Sequence, residues 1–153
     1  MGEVKQKKEN GFTMLELIMV IAVIGILGAM VIPAYNVMST KARLSTDIAT
    51  VKTLKRTADS YKAEMGVYPK ATNLAELNKA LVESQYLENN AVLQTVDSGT
   101  DLFIVNEDAT HAYEIRLDLS KCTDSSIDKA LKQMRSDVNR WIHGKEAGKG
   151  KDK

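Results

Sequence analysis

Hydrophobic and polar residues are distributed along this chain in four distinct patterns. From Leu17 to Tyr35, nineteen consecutive residues carry no charge, and a stretch of ~18 or more such residues is long enough to cross a bilayer as a helix. Past Pro33 the apolar residues recur every three or four positions. Leu44, Ile48, Val51, Leu54, Ala58, Tyr61 and Met65 form one stripe, with Lys41, Arg43, Asp47, Lys52, Arg56, Asp59 and Lys62 assigned to the opposite side. The pattern predicts one helix from about Phe12 to Met65, roughly 80 Å long at 1.5 Å per residue. Gly66-Val67-Tyr68-Pro69 stops it. Asn73 then caps a short helix bearing Leu74, Leu77, Ala80 and Leu81.

A period of two follows. Leu102-Phe103-Ile104-Val105 is a short apolar run, and Tyr113, Ile115, Leu117 and Leu119 alternate with Glu114, Arg116 and Asp118, which predicts two antiparallel strands. Val92 to Val96 offers a third. Helical spacing returns at Ile127, Leu131, Met134, Val138 and Trp141, with Ser125 or Ser126 as cap and Gly144 as stop. The fold class expected is α+β: a long amino-terminal helix, apolar in its first half and amphipathic in its second, packed on a small antiparallel sheet with a carboxy-terminal helix.

One charge breaks the apolar first half of the long helix at its very start. Glu16 is a carboxylate at the edge of a membrane-type segment, where a charged group costs up to roughly 2.5–3.5 kcal/mol at mid-depth and generally persists for a function and a partner. It calls for a cation that the surrounding chain does not supply. Gly25, Gly28 and Pro33 weaken the same segment: each glycine costs about 1 kcal/mol relative to alanine, and the proline removes a backbone hydrogen bond. Gly25 and Ala29 also give a small-xxx-small face for close helix approach. The apolar run ends in Ile32-Pro33-Ala34-Tyr35-Asn36 with no A-x-A site, which argues against secretory cleavage after it.

Cleavage before the run is the alternative. The polar leader, then Gly11-Phe12-Thr13, Leu15-Glu16-Leu17-Ile18, Val20-Ile21, Ile24-Gly25-Ile26-Leu27 and Ile32-Pro33-Ala34-Tyr35 resemble the type IV pilin family, including the pseudopilins of type II secretion. Tyr61, Gly66, Tyr68, Pro69 and the leucines that follow resemble the segment after the long helix in major pseudopilins and several pilins. The resemblance implies a leader, residues 1–11, removed by a prepilin peptidase at Gly11/Phe12, with N-methylation of Phe12. It implies that Glu16 pairs with the amino terminus of Phe12 in a neighbouring subunit, and that the helix melts locally at Gly25, Gly28 and Pro33 on assembly. Residues 12–35 would form the membrane anchor and filament core, residues 36–143 the globular head, and residues 144–153 a disordered lysine- and glycine-rich tail.

The function expected is that of a structural subunit of a type IV pilus, a homopolymer through the amino-terminal helix, acting in adhesion, motility or DNA uptake. A major pseudopilin of type II secretion and a membrane-anchored extracytoplasmic binding domain are the alternatives. The precursor is placed in the inner (cytoplasmic) membrane, in contact with the inner-membrane assembly machinery, and the assembled protein in a cell-surface filament. Lys5, Lys7 and Lys8 precede the apolar run and favour a cytoplasmic amino terminus.

Composition narrows this further. The formal charge is +1 and falls to zero without the leader, so no basic surplus argues for specific nucleic-acid binding. The single cysteine, Cys122, permits no intrachain disulfide, unlike the many pilins that close a carboxy-terminal loop with one, and reads as a small apolar residue. His111 and His143 are the only histidines and show no metal-ligand spacing, so neither an enzyme nor a cofactor is expected. Asp97, Asp101, Glu107 and Asp108 raise the question of calcium, but without an EF-hand pattern they read as two solvated turns, and no metal is expected.

Overall fold

The computed structural model describes residues 12–95 and 99–148, and gives no side chains at positions 30, 31, 33 and 34. Two compact units divide between Tyr35 and Asn36. Helix α1, Met14–Met65, contributes its first turns to one and the rest to the other. It is unbroken at Gly25, Gly28 and Pro33 in the single chain. Gly66 ends it with φ +80°, and the Gly66 N–H donates to the Lys62 carbonyl at 2.8 Å.

The head is built on the stripe of α1. Leu44, Ile48, Val51, Leu54 and Ala58 are buried; Tyr61 is half-buried, and Met65 stays exposed. They share one core with Leu77 and Leu81 of α2, Leu74–Glu83, whose cap is Asn73: its side chain accepts from the Glu76 N–H at 2.9 Å. Strands β1, Asp101–Val105, and β2, Glu114–Asp118, are antiparallel with Leu102 opposite Leu117 and Ile104 opposite Ile115. Their period of two puts Leu102, Ile115 and Leu117 into the same core.

Several expectations are corrected. Asp47, assigned to the polar side of α1, is fully buried. It lies between Leu44 and Ile48 on the stripe and is tolerated there because its carboxylate accepts the Gln94 N–H at 2.6 Å, the Thr95 N–H at 3.1 Å and the Thr95 hydroxyl. Those same donations explain the second correction. Gln94 and Thr95 direct their N–H groups to a carboxylate instead of a sheet ladder, so residues 92–95 form no strand, and Val96 lies outside the described residues.

The third strand is instead β3, Ile142–His143, which runs parallel to β2 with Ile142 beside Leu117, so the sheet is mixed. The carboxy-terminal helix is correspondingly shorter than its period suggests. α3 is Ser125–Lys132, capped by Asp124 and not by either serine: the Asp124 carboxylate accepts from the Ser126 N–H at 2.7 Å. A 3-10 segment, Ser136–Trp141, follows after an extended Arg135. Finally, residues 145–148, expected in the disordered tail, are seated on the head. The Ala147 N–H donates to Asn139 at 2.6 Å, the Gly148 N–H to the Leu131 carbonyl at 2.9 Å, and Lys145 pairs with Asp128 at 2.7 Å. Ala147 supplies the apolar contact and is buried; residues 149–153 lie outside the described residues.

Candidate assembly site

Helix α1 begins with a reciprocal cap. The Thr13 hydroxyl accepts from the Glu16 N–H at 3.2 Å, while Glu16 Oε2 accepts from the Thr13 N–H and from the Thr13 hydroxyl, each at 3.0 Å. This capping box satisfies donors that the first turn of a helix otherwise leaves without partners, and it places the carboxylate at the positive end of the helix dipole. Glu16 therefore has local partners, but neutral ones. Among the described residues it forms no ion pair. Thr13 was missed as part of the site, although T-x-x-E immediately before an apolar run is a legible signature.

Around this cap the surface is apolar. Phe12 is 91% exposed, and Leu15, Leu17, Ile18, Ile21, Ile24 and Leu27 are all more than half exposed. Such a contiguous apolar patch on a single chain marks a surface that another molecule or a membrane covers. An added Cβ at Gly25 or Gly28 would meet nothing within 4 Å, so neither glycine is required by packing within this chain. Among the described residues no helix is long and apolar enough to cross a membrane; the side chains of the apolar run are described without a gap only from Phe12 to Ala29. Gly11 lies outside the described residues.

The other candidate chemistry on the head is occupied by structure. Asp101 accepts from the Leu74 N–H at 3.1 Å and from its neighbour Leu102, Glu107 pairs with Lys62 at 2.6 Å, and Asp108 holds the turn to His111. Hydrogen bonds from the Thr110 N–H and hydroxyl, then from the His111 N–H, hold the Asp108 carboxyl well below the usual carboxylate range. Asp97 is outside the described residues. Cys122 is buried with Sγ 3.4 Å from the Thr100 hydroxyl, the environment of a small apolar residue.

Comparison with known proteins places the distinctive features in the same stretch. Residues 6–32 match the family model of the prokaryotic N-terminal methylation motif. The chain is 31% identical over 96 residues to the type IV major pilin protein PilE of Neisseria gonorrhoeae, covering 59% of this chain and 58% of that protein. It is 34% identical over 84 residues to the fimbrial protein EcpC of Eikenella corrodens, covering 55% and 54%. To the type II secretion system core protein G of Vibrio cholerae it is 34% identical over 65 residues, covering 42% and 44%. The chain thus spans about half the length of the curated relatives it matches, and no solved structure matches it significantly. A methylation-type amino-terminal motif continuous with an exposed apolar helix that is capped through Glu16, together with these relatives, makes the amino-terminal stretch of the chain similar to that of type IV pilins and of a type II secretion core protein.

Proposed function

We propose that the chain is a structural filament subunit, processed between Gly11 and Phe12, methylated at Phe12 and polymerised through residues 12–35 into a type IV pilus. The observation that carries this reading is the exposed apolar surface from Phe12 to Leu27 with a single carboxylate fixed at its head. Burying a Leu or Ile side chain is worth about 1.5–3 kcal/mol, so a bundle of such helices supplies cohesion without polar bonds. A non-closing head-to-tail contact then gives a filament.

Glu16 sets the register in this proposal. Cleavage after Gly11 turns the Phe12 nitrogen into an ammonium, and the same group of a neighbouring copy is the cation that the Glu16 carboxylate lacks among the described residues. Gly25, Gly28 and Pro33 are where the helix unwinds on assembly, since the first two contribute no packing and the third no backbone donor. Before assembly the precursor resides in the inner membrane with its amino terminus cytoplasmic, where prepilin peptidase and the assembly machinery act on it. No step of this role requires catalysis.

The relative named as a type II secretion core protein favours a second reading, a pseudopilin in a periplasmic assembly. Intact mass and amino-terminal sequence of the protein in a sheared extracellular fraction separate the two. A chain starting at methylated Phe12 in that fraction is the pilus result, and processed protein confined to membranes is the pseudopilus result. Retention of residues 1–11 beside an active prepilin peptidase overturns both. Glu16→Ala is expected to leave processing intact and lower filament yield by more than about tenfold, the scale of one charge-assisted contact worth ~1.5–3 kcal/mol per subunit. Normal yield from that variant removes Glu16 from the mechanism.

A further inference from the structure

The head carries opposite charge on its two flanks. On one flank the half-buried Trp141 of the 3-10 segment has two cations about its ring, with Lys52 Nζ of α1 5.6 Å and the Arg140 guanidinium carbon 5.3 Å from the ring centre. Neither cation forms an ion pair among the described residues, whereas the nearby Lys55 and Arg116 are matched by Asp59 and Glu114. This flank therefore keeps two positive charges, both steadied by the face of one aromatic ring. On the other flank Tyr86 packs against Tyr61 of α1, ring centres 5.3 Å apart, and its hydroxyl donates to Glu64 at 2.5 Å. Tyr61 follows Lys52 by about two and a half helical turns, so the two lie on opposite sides of α1. Glu64 and the exposed Glu88, just past Tyr86, form no ion pair among the described residues, while Glu83 is matched by Lys79. Two negative charges remain there.

This distribution restricts how two copies can meet. A two-fold contact sets a patch against itself, and on either flank that would bring like charges together, an arrangement that interfaces select against. Unlike flanks match: Lys52 and Arg140 of one copy face Glu64 and Glu88 of the next. Because both flanks belong to one head, each copy offers both, and such a contact is heterologous and passes from copy to copy without closing on a pair. Tryptophan and arginine are also the residue types that most often anchor protein interfaces.

We propose that the Trp141 flank of the head docks on the Tyr86 flank of a second copy of this chain, with Lys52 and Arg140 against Glu64 and Glu88. The contact deepens the filament reading and rests on it: residues 12–35 supply cohesion, and the heads select which sides of neighbouring copies face each other. The test uses the full chain carrying both Arg140→Cys and Glu88→Cys, expressed in place of the unmodified protein and treated in intact cells with a flexible bismaleimide. The native thiol of Cys122 is buried. A ladder of covalent dimers, trimers and longer products on a denaturing gel is expected, whereas either single variant gives no ladder. Charge reversal answers the same question should the cysteines disturb assembly. Lys52→Glu with Arg140→Glu should lower filament yield at least ~10-fold by setting like charges together, and adding Glu64→Lys with Glu88→Lys to the same chain should restore it. Products that stop at dimers, or protein starting at Phe12 that gives neither ladder nor rescue, overturn the flank contact and leave the filament reading standing. Protein that keeps residues 1–11 beside an active prepilin peptidase overturns that reading and this contact with it.

Discussion

The two units of this chain use the same apolar residue types to opposite ends. Between Leu44 and Leu131, leucines and isoleucines at helical and strand spacing are nearly all withdrawn from solvent into one core. Between Leu15 and Leu27 the same residue types stand more than half exposed. Two glycines from each unit show the same contrast. Gly25 and Gly28 have open space where a side chain would go, whereas a Cβ at Gly144, φ +83°, would sit 2.6 Å from Ser120 Cα, and one at Gly148 would collide with the Lys132 carbonyl. The head buries most of its apolar surface within one molecule; the amino-terminal segment leaves its own uncovered. Only the head should therefore report its mutations in the stability of a single chain.

Leu54→Ala is the largest test of that contrast. It should lower unfolding stability of the head by about 2–5 kcal/mol, read by chemical denaturation, while Ile21→Ala leaves the same transition unmoved. Equal shifts from both would dissolve the distinction. Asp47→Ala should cost about 2–3 kcal/mol by stranding the N–H groups of Gln94 and Thr95 beneath the head surface, and its neighbours in the 92–95 segment should lose amide protection first. Smaller again, Gly144→Ala should destabilise the head by more than about 1 kcal/mol, since alanine resists that backbone conformation and meets Ser120. Gly28→Ala should raise the helicity of the unassembled chain by at most about 1 kcal/mol, which circular dichroism separates from any effect on filaments.

The smallest effect concerns acid. The Asp108 carboxyl is depressed below its unfolded value by hydrogen bonds from Thr110 and His111. The sign follows: its contribution is complete above the ordinary aspartate range near ~4, and is lost as pH falls below that toward the lower folded value. The Thr110 amide resonance should stay flat down to about pH 4 and move only beneath it. Asp108→Asn should abolish that movement without touching the amino-terminal segment.

Much of this molecule is legible one residue at a time because its determinants are local. The period of α1, the Gly66 stop, the Asn73 cap and the alternation of Ile115 and Leu117 each depend on neighbours within a turn or a pleat. The amino-terminal segment is legible for a sharper reason: the large apolar side chains described from Phe12 to Leu27 stand in solvent, so local composition determines that it is apolar, helical and marked by one carboxylate. Even its missed member, Thr13, is written as T-x-x-E. What only the tertiary structure decided lies where distant segments compete for the same backbone groups. Asp47 is inside because residues 94 and 95 bring it their N–H groups from across the head. The helical period from Ile127 to Trp141 does not become one helix, because Ile142 pairs beside Leu117 and residues 147–148 return to Asn139 and Leu131. An open groove lined by Lys55, Arg116 and Trp141 likewise exists only once α1, β2 and the 3-10 segment converge. Pairings between segments so far apart leave no periodic trace, since the free energy that selects them comes from burial and hydrogen bonding in the assembled core and not from the local preferences of either partner.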